Sequence, residues 1–470
     1  MSSATSYPPL ARPEAPALRP ARVPQWWGDS ASTAVGLSLL VVTALWVSHG
    51  GVQETVGGGW TMLSALGRLA GLLASDLMLL QVLLLARVPL VERAFGQDRL
   101  ARWHRWVGFT SFHFMLAHIV LITLGYAGAV HANVLRQLWE LIVSYPGMLL
   151  AAAGAGFLVL VVVTSVRAAR RRLRYESWHL LHLYAYLGVG LALPHQIWAG
   201  DDFIASPWAR VYWWSLYAVT AGAVLVYRIG VPAWRTWRHG LTVSDIVSEG
   251  PGLTSVYLRG RRLDRLPARA GQFFQWRFMD GPGWSRAHPY SLSTVPGRDA
   301  LRITVKDLGD GSARVARLRP GTRVLFEGPY GRLTGDSYEG GPVTMFACGI
   351  GITPLLALLQ DLPYRAGEAT LIYRARSERE LAFGDELDWL VDHRGVRVVY
   401  LLGPRARPAS WLPDSHADLA DVDALRQVAP DLADHQIYVC GPDPWTDAVL
   451  AATRDAGVPA KHVHTEQFSW

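Results

Sequence analysis

Six runs of apolar residues, at 31–49, 61–86, 103–125, 145–166, 178–198 and 210–231, are each long enough to cross a bilayer as a helix. After about residue 240 the pattern changes. Short apolar strands (Leu241–Val247, Leu253–Leu258, Phe273–Phe278, Val343–Ala347) alternate with turn residues, as in a soluble β or α/β fold. The pattern predicts a disordered Pro- and Ala-rich tail at 1–30, a six-helix transmembrane domain at 31–235, and two soluble domains at 240–337 and 340–470. No short apolar stretch with a small-residue cleavage site precedes the first run, so no removable leader is expected.

Charge adds an orientation. The loop between runs two and three carries Arg87, Arg93, Arg99, Arg102 and Arg105, and the loop between runs four and five carries Arg167, Arg170, Arg171, Arg172 and Arg174. The opposite loops hold Glu54, Glu140, Asp201 and Asp202, with Arg136 and Arg210 as their clear cations. Arginine-rich loops stay in the cytoplasm, so both termini are expected there, with six spans in the cell membrane. The net charge of +7 is thus a topology signal, and nucleic-acid binding is not expected. Cys348 and Cys440 are too few thiolates for an iron–sulfur cluster, and both fall in the cytoplasmic half, where disulfides are rare.

Histidines inside apolar runs change the picture most, because an ionisable side chain in a membrane span is costly and tends to be functional. His104 and His118 stand fourteen residues apart in run three, roughly 21 Å along a helix and roughly 40° apart in direction. His182 and His195 stand thirteen residues apart in run five, leaving roughly 140° between them, a mismatch that Pro194 could relieve through a kink. Two such pairs suit two stacked haem b groups, His104 with His182 near the cytoplasm and His118 with His195 near the outside. Haem iron with two imidazoles suits pure electron transfer, since no axial position stays open. His179 rivals His182. His113 points to the opposite face and reads as structural, and His49 and His131, in or beside outer loops, read as surface residues with a place in the exit site as the alternative. Arg68 in run two either snorkels to the interface or meets haem propionates or an anionic product.

The soluble half carries three flavin-type stretches. His288-Pro289-Tyr290-Ser291-Leu292-Ser293 resembles the flavin motif of the ferredoxin reductase superfamily. Tyr290 can stack on a flavin, Ser291 and Ser293 offer hydroxyls, and His288 offers donors to a pyrophosphate. A strand ending at Lys306, followed by Gly309, Gly311 and Ser312, matches the second stretch, and Gly328-Pro-Tyr-Gly331 looks like the closing turn. A buried strand then runs into Cys348-Gly349-Ile-Gly351-Ile-Thr353-Pro354 and an apolar helix, the turn a dinucleotide pyrophosphate needs. It resembles the superfamily's nicotinamide-nucleotide motif, and Cys440-Gly441-Pro442 resembles the later one, where Cys440 could approach the nicotinamide. Arg374 and Arg376 stand where the family reads the adenosine ribose; two arginines suit a 2′-phosphate, which favours NADPH while leaving NADH possible. Phe468, with Trp470 as its rival, resembles the C-terminal aromatic that covers the flavin.

Taken in order, these motifs resemble the ferric reductase and NADPH oxidase superfamily in its compact bacterial form. The resemblance implies a six-helix transmembrane haem domain, a cytoplasmic FAD-binding β-barrel and a nucleotide-binding α/β domain. It also implies FAD, two haems and NADPH as cofactors. The expected acceptor is oxygen, giving superoxide; a ferric chelate or an extracytoplasmic protein partner are the alternatives.

Overall fold

The computed structural model describes residues 26–166 and 175–466. The chain divides into two compact units, Val23–Val231 and Pro232–Trp470. The arginines at 167–174 and the aromatics Phe468 and Trp470 lie outside the described residues.

The first unit is helical: α1 (Trp26–Ser48), α2 (Gly51–Val56), α3 (Gly59–Leu84), α4 (Pro89–Phe95), α5 (Gln97–Ala129), α6 (Val134–Ser144), α7 (Met148–Ser165), α8 (Tyr175–Ala199), α9 (Asp201–Ile204) and α10 (Pro207–Ala223). Local chemistry sets several starts. The Asn133 side chain accepts from Leu135 N at 2.9 Å at the head of α6, and Ser206 Oγ accepts from Ala209 N at 3.1 Å ahead of Pro207 in α10. Among the described residues, five helical stretches (α1, α3, Arg99–Ala129 of α5, α7 and Pro207–His239) are long and apolar enough to cross a membrane. The fifth predicted run forms α8, a 25-residue helix that falls outside that set. Its three histidines, Gln196 and Pro194 dilute its apolar character. The sequence pattern did not foresee α4 and α6, which lie in predicted loops.

α3 packs along α5, and α7 along α8. A small core of Val42, Trp46, Ala65, Leu72, Phe203 and Trp213 ties α1, α3, α9 and α10 together, with Trp46 Nε1 donating to Ala65 O at 2.9 Å. Outward, Leu40, Leu149, Leu180 and Trp208 are exposed, the apolar exterior a lipid-facing bundle requires. After α10 the backbone widens into a π-helical turn, Val224–Gly230, just before Pro232, which has no N–H to give to a helix ladder.

The second unit opens with α11 (Val231–His239). Two three-stranded antiparallel sheets follow, β1–β2–β5 and β4–β3–β6, built from β1 (Thr242–Gly250), β2 (Leu253–Arg259), β3 (Phe273–Phe278), β4 (His288–Ser291), β5 (Ala300–Lys306) and β6 (Val324–Tyr330). Single bridges, Thr242 to Arg323 and Leu292 to Ile303, join the sheets edge to edge around Leu258, Phe274, Trp276, Leu292, Ile303 and Phe326. The rest is a five-stranded parallel sheet in the order β11–β10–β7–β8–β9, from β7 (Val343–Cys348), β8 (Ala369–Ala375), β9 (Arg397–Leu402), β10 (Gln436–Cys440) and β11 (Val463–Glu466). Helices α12 (Ile352–Asp361), α13 (Gly384–Arg394), α14 (Asp421–Val428) and α15 (Asp443–Asp455) complete it. Its three inner strands β7, β8 and β10 read as buried runs, as parallel strands covered on both faces do, while the edge strands β9 and β11 are largely half-exposed. Strand order reverses between β7 and β10, and a doubly wound sheet binds its ligand at the carboxyl ends of such a pair.

Candidate functional site

The four membrane histidines sit on α5 and α8. The rings of His104 and His182 face each other with centroids 5.9 Å apart. An imidazole nitrogen ligates a transition metal at about 2 Å, so two rings on opposite sides of one ion stand about 6 Å apart. The observed spacing fits. Backbone carbonyls hold the other nitrogens: His104 Nδ1 lies 3.0 Å from Gln81 O, His118 Nδ1 2.8 Å from Gly67 O, and His195 Nδ1 2.5 Å from Ala192 O. A carbonyl only accepts, so each of these Nδ1 atoms donates and each Nε2 keeps its lone pair for a metal. His182 Nδ1 meets Ser165 Oγ at 3.3 Å, which also receives Trp178 Nε1. His118 is pressed against α3 where Gly71 has no side chain; a methyl there would come within 2.5 Å of its Nδ1. His118 and His195 are electrostatic neighbours. The spacing and donor set of His104 and His182 fit one bis-imidazole haem. Pro194 lies inside α8, one residue before His195.

Next to Gly67, whose carbonyl meets His118, Arg68 NH2 donates to Glu54 Oε2 at 2.8 Å, and its Nε lies 3.4 Å from Asp202 Oδ2. Asp202 Oδ1 is 3.1 Å from His49 Nδ1. Arg68 is therefore held between two carboxylates, and His49, read from sequence as a surface residue, joins the same cluster. His113 stays on its own helix, its Nδ1 2.7 Å from Phe109 O.

In the second unit β4 carries the flavin-type hexapeptide. His288 and Tyr290 stack with centroids 5.9 Å apart, and Gly311 lies so close to His288 that a Cβ there would meet its ring at 2.8 Å. Burial pushes the Tyr290 phenol up, so it stays a neutral donor. Ser312 Oγ accepts from Leu308 N at 2.8 Å and donates to Gly309 O at 2.9 Å, fixing the turn after Lys306, whose ammonium lies 3.5 Å from Glu380. Pro289 and Ser291 pair in register with Gln275 and Phe273, and Leu292 is buried in the core between the sheets. Ser293 is fully buried: its hydroxyl accepts from Arg302 Nε at 3.0 Å and from Thr304 Oγ1 at 2.8 Å. That hydroxyl braces the scaffold, which corrects the expectation that it faces a flavin.

The nicotinamide-type motifs end the two strands at the switch point, where Cys440 pairs with Ala347. A Cβ on Gly351 would lie 2.1 Å from Cys440 O, so the two turns touch because this residue is glycine. Gly349 precedes it in the same turn, Thr353 Oγ1 donates to Ile350 O at 3.0 Å, and Pro354 is buried in α12. Gly441 and Pro442 lead from β10 into α15. Cys440 is completely buried with Sγ 3.9 Å from Glu466 O, and burial pushes its thiol well up. Glu466 Oε2 accepts from the backbone of Arg332 and Leu333, each at 3.2 Å, so the last described strand is tied to the turn that closes β6.

The two arginines after Tyr373 part company. Arg374 is buried and donates to the carbonyls of Ala375, Leu401 (3.1 Å) and Gly403 (2.6 Å), so it braces the ends of β8 and β9. Arg376 is exposed at the end of the same strand. The expectation that both read a 2′-phosphate is corrected for Arg374, whose guanidinium is taken up by these carbonyls.

Three groups of side chains escaped the sequence reading. Arg286 and Arg314 flank the cleft that holds His288 and Gly311; an arginine two residues before the hexapeptide was the available signal. Arg302 pairs with Glu386 at 2.5 Å in the interior, a contact no sequence pattern announces. Asp76, in the middle of run two, has no exposed surface and accepts from Ser38 Oγ at 2.8 Å and from Tyr212 OH; a lone carboxylate in an apolar run was its signal.

Known proteins resemble the chain in two blocks. The ferric reductase-like transmembrane component matches residues 70–193, which include His104, His118 and His182 and stop two residues short of His195. The oxidoreductase NAD-binding domain matches residues 345–450. The ferredoxin reductase component of 3-ketosteroid-9-alpha-monooxygenase from Rhodococcus rhodochrous is 29% identical over 49% of this chain and 64% of its own length. The chain thus spans less than two thirds of that relative. A flavohemoprotein of Chromobacterium violaceum is 30% identical over 57% of this chain and 70% of its own. Ferredoxin–NADP reductase B of Sorangium cellulosum is 31% identical over 46% of this chain and 93% of its own. With a ferric reductase-like transmembrane component ahead of a ferredoxin reductase-like flavin and nicotinamide-nucleotide half, the chain has the ferric reductase and NADPH oxidase architecture.

Proposed function

We propose that the protein is a transmembrane NAD(P)H oxidoreductase. It passes electrons from cytoplasmic NADPH through FAD and two haems to oxygen outside, with six spans and both termini in the cytoplasm. The observation that carries the reading is the facing pair His104 and His182 inside apolar helices, with the nitrogen away from the metal position of His104, His118 and His195 held by carbonyls. Bound flavin would take a hydride from the nicotinamide and pass on single electrons, which bound haems would carry across the bilayer. The protein's own part is binding and order. His104 with His182, and His118 with His195, hold the two metal positions. Tyr290, His288 and Ser291, with Lys306, Gly309, Gly311 and Ser312 of the neighbouring turn, hold the flavin. The turns Gly349–Pro354 and Cys440–Pro442, with Arg376, hold the nucleotide. Phe468, or Trp470 in its place, covers the flavin ring until the nicotinamide displaces it. Cys440 keeps its proton and contributes shape beside the nicotinamide.

A second acceptor has one observation in its favour. Glu54 and Asp202 outnumber the guanidinium they hold, so the outer cluster carries net negative charge when His49 is neutral. Such a mouth attracts a metal cation more than it stabilises an anionic product.

The test uses purified protein loaded with FAD and haem and reduced by NADPH without oxygen. Rapid mixing with oxygenated buffer is expected to reoxidise the haem bands quickly and release superoxide, with a slow response to ferric chelate. The reverse order identifies a ferric reductase; slow reoxidation by both identifies a protein acceptor.

A further inference from the structure

α3 contacts the α5 histidines at two heights. Gly67 and Gly71 meet His118, and Gln81 meets His104. Asp76 lies five residues from both Gly71 and Gln81, about 7.5 Å along the axis from each, and turned roughly 140° away from them. It stands at mid-depth between the two histidine pairs, on the opposite side of α3. Its surroundings are unusual for a buried carboxyl. Oδ1 receives the hydroxyls of Ser38 from α1 and Tyr212 from α10, while Oδ2 is buried with no hydrogen-bond partner. An ionised Asp76 leaves a charged oxygen bare, whereas a protonated one can carry its hydrogen on Oδ1 and donate to Ser38 Oγ or to Tyr212 OH, whose own hydrogen has Ser38 O at 3.3 Å. The pocket thus holds the neutral form with partners from the protein and leaves the ionised form short of one. A second polar link lies one residue away: Gln196 Nε2 donates to Ser75 Oγ at 3.0 Å, and Tyr217 OH donates to Gln196 Oε1 at 2.5 Å. Gln196 directly follows His195, so this polar layer joins α3 and α10 to the outer pair. The groups around Asp76 are few. Tyr212 is the titratable one facing it from α10, α1 offers Ser38, α8 offers Gln196 with His195 before it, and α5 turns its histidines to the other face of α3. Arg68, Asp202 and His49 lie about two turns outward.

We propose that Asp76 is an intramembrane proton acceptor. It takes one proton from bulk water as an electron enters the adjoining histidine-held pairs and returns it as the electron leaves. The electron does not pass through Asp76: one O–H bond forms at its carboxylate and one breaks in the donating hydronium ion. A buried negative charge on each side of one helix is costly in a low-dielectric bundle, and neutralising the carboxylate removes that repulsion. The proposal rests on the di-haem reading.

The test is a spectroelectrochemical titration of the full-length holoprotein at several pH values, after its haem content is measured. The wild type is expected to show midpoint potentials that fall as pH rises, by up to about 59 mV for each tenfold drop in proton concentration. Its reduced-minus-oxidised infrared spectrum is expected to gain a protonated-carboxyl band. Asp76→Asn is expected to bind the same haem, flatten the slope and lose the band. Should that variant fail to fold, Asp76→Glu keeps the carboxyl: a retained slope with a displaced band is expected, and an undisplaced band overturns the assignment. A pH-independent wild type with both haems bound, or a slope that survives in Asp76→Asn, overturns the proposal alone. A wild type that binds no haem overturns the di-haem reading first.

Discussion

The two halves of the chain treat polar side chains in opposite ways. In the helical unit they are few, and those of the candidate site meet specific partners: His104 meets His182 and Gln81 O, Arg68 meets Glu54 and Asp202, Asp76 meets Ser38 and Tyr212. In the second unit they are common, and many that sit inside binding motifs brace the scaffold. Ser293 accepts from Arg302 and Thr304, and Arg374 holds three carbonyls. The difference follows from the solvent each half replaces. An apolar bundle excludes a polar group unless something keeps it, whereas a water-soluble fold uses polar groups freely to satisfy its own backbone. A polar residue in a membrane run is therefore strong evidence of a site, and a polar residue in a soluble motif marks only the neighbourhood of one.

The largest effect that could break this comparison lies in the helices. His118→Ala or His195→Ala is expected to remove one haem equivalent and abolish electron transfer to an outside acceptor, while NADPH oxidation through the flavin continues. Haem content by pyridine haemochrome absorbance checks it; unchanged content in either variant would show that a buried histidine here is only structural. Next in size is the bracing of the second unit. Arg302 and Glu386 are both nearly buried, and Arg302 also lies over Phe383 at 5.0 Å. Removing one partner of such a pair strands the other charge, at about 3–5 kcal/mol. Arg302→Ala is expected to lower the thermal unfolding temperature of the flavin half sharply; a change of only a degree or two would mean that the pair is replaceable.

How much the sequence disclosed follows the same division. The six apolar runs became helices α1, α3, α5, α7, α8 and α10, and among the described residues five stretches, α8 not among them, have the length and hydrophobicity of a spanning helix. Facing histidines were legible from a 3.6-residue period, and Gly351 and Cys440 from the turn chemistry at strand ends. Three things were not. The partners of Arg68 come from α2 and the α8–α10 region, fourteen and 134 residues away, and no local pattern joins them. The inward turn of Arg374 depends on β9, which pairs beside it only in the folded sheet. Which motif serine faces inward is set by Arg302 and Thr304 on β5, nine and eleven residues on.

The arginine pair sharpens the comparison at a smaller scale. A charge-assisted bond to a phosphate is worth about 1.5–3 kcal/mol, roughly ten- to a hundredfold in affinity. Arg376→Ala is expected to raise the KM for NADPH by about tenfold and leave that for NADH unchanged. Arg374→Ala is expected to weaken both alike and to lower stability, since it releases three carbonyls at once. Steady-state kinetics with the two nucleotides decides; selective loss of NADPH in Arg374→Ala would return that residue to the cofactor.

The smallest effect belongs to the outer cluster, where part of each side chain meets solvent and a single ion pair contributes about 0.2–1 kcal/mol. Glu54→Gln removes one of the two carboxylates on Arg68 and leaves Asp202 in place, so the guanidinium keeps a partner and the fold should hold. Its charge becomes more available to an anionic product and less masked toward a cationic acceptor. Reoxidation by oxygen is expected to quicken and reoxidation by a cationic ferric complex to slow, each by a few-fold, with the gap closing as salt screens the cluster. Equal change with both acceptors, or none at any ionic strength, would mean that electrons leave the protein away from Arg68, and the cluster would join Arg374 as bracing.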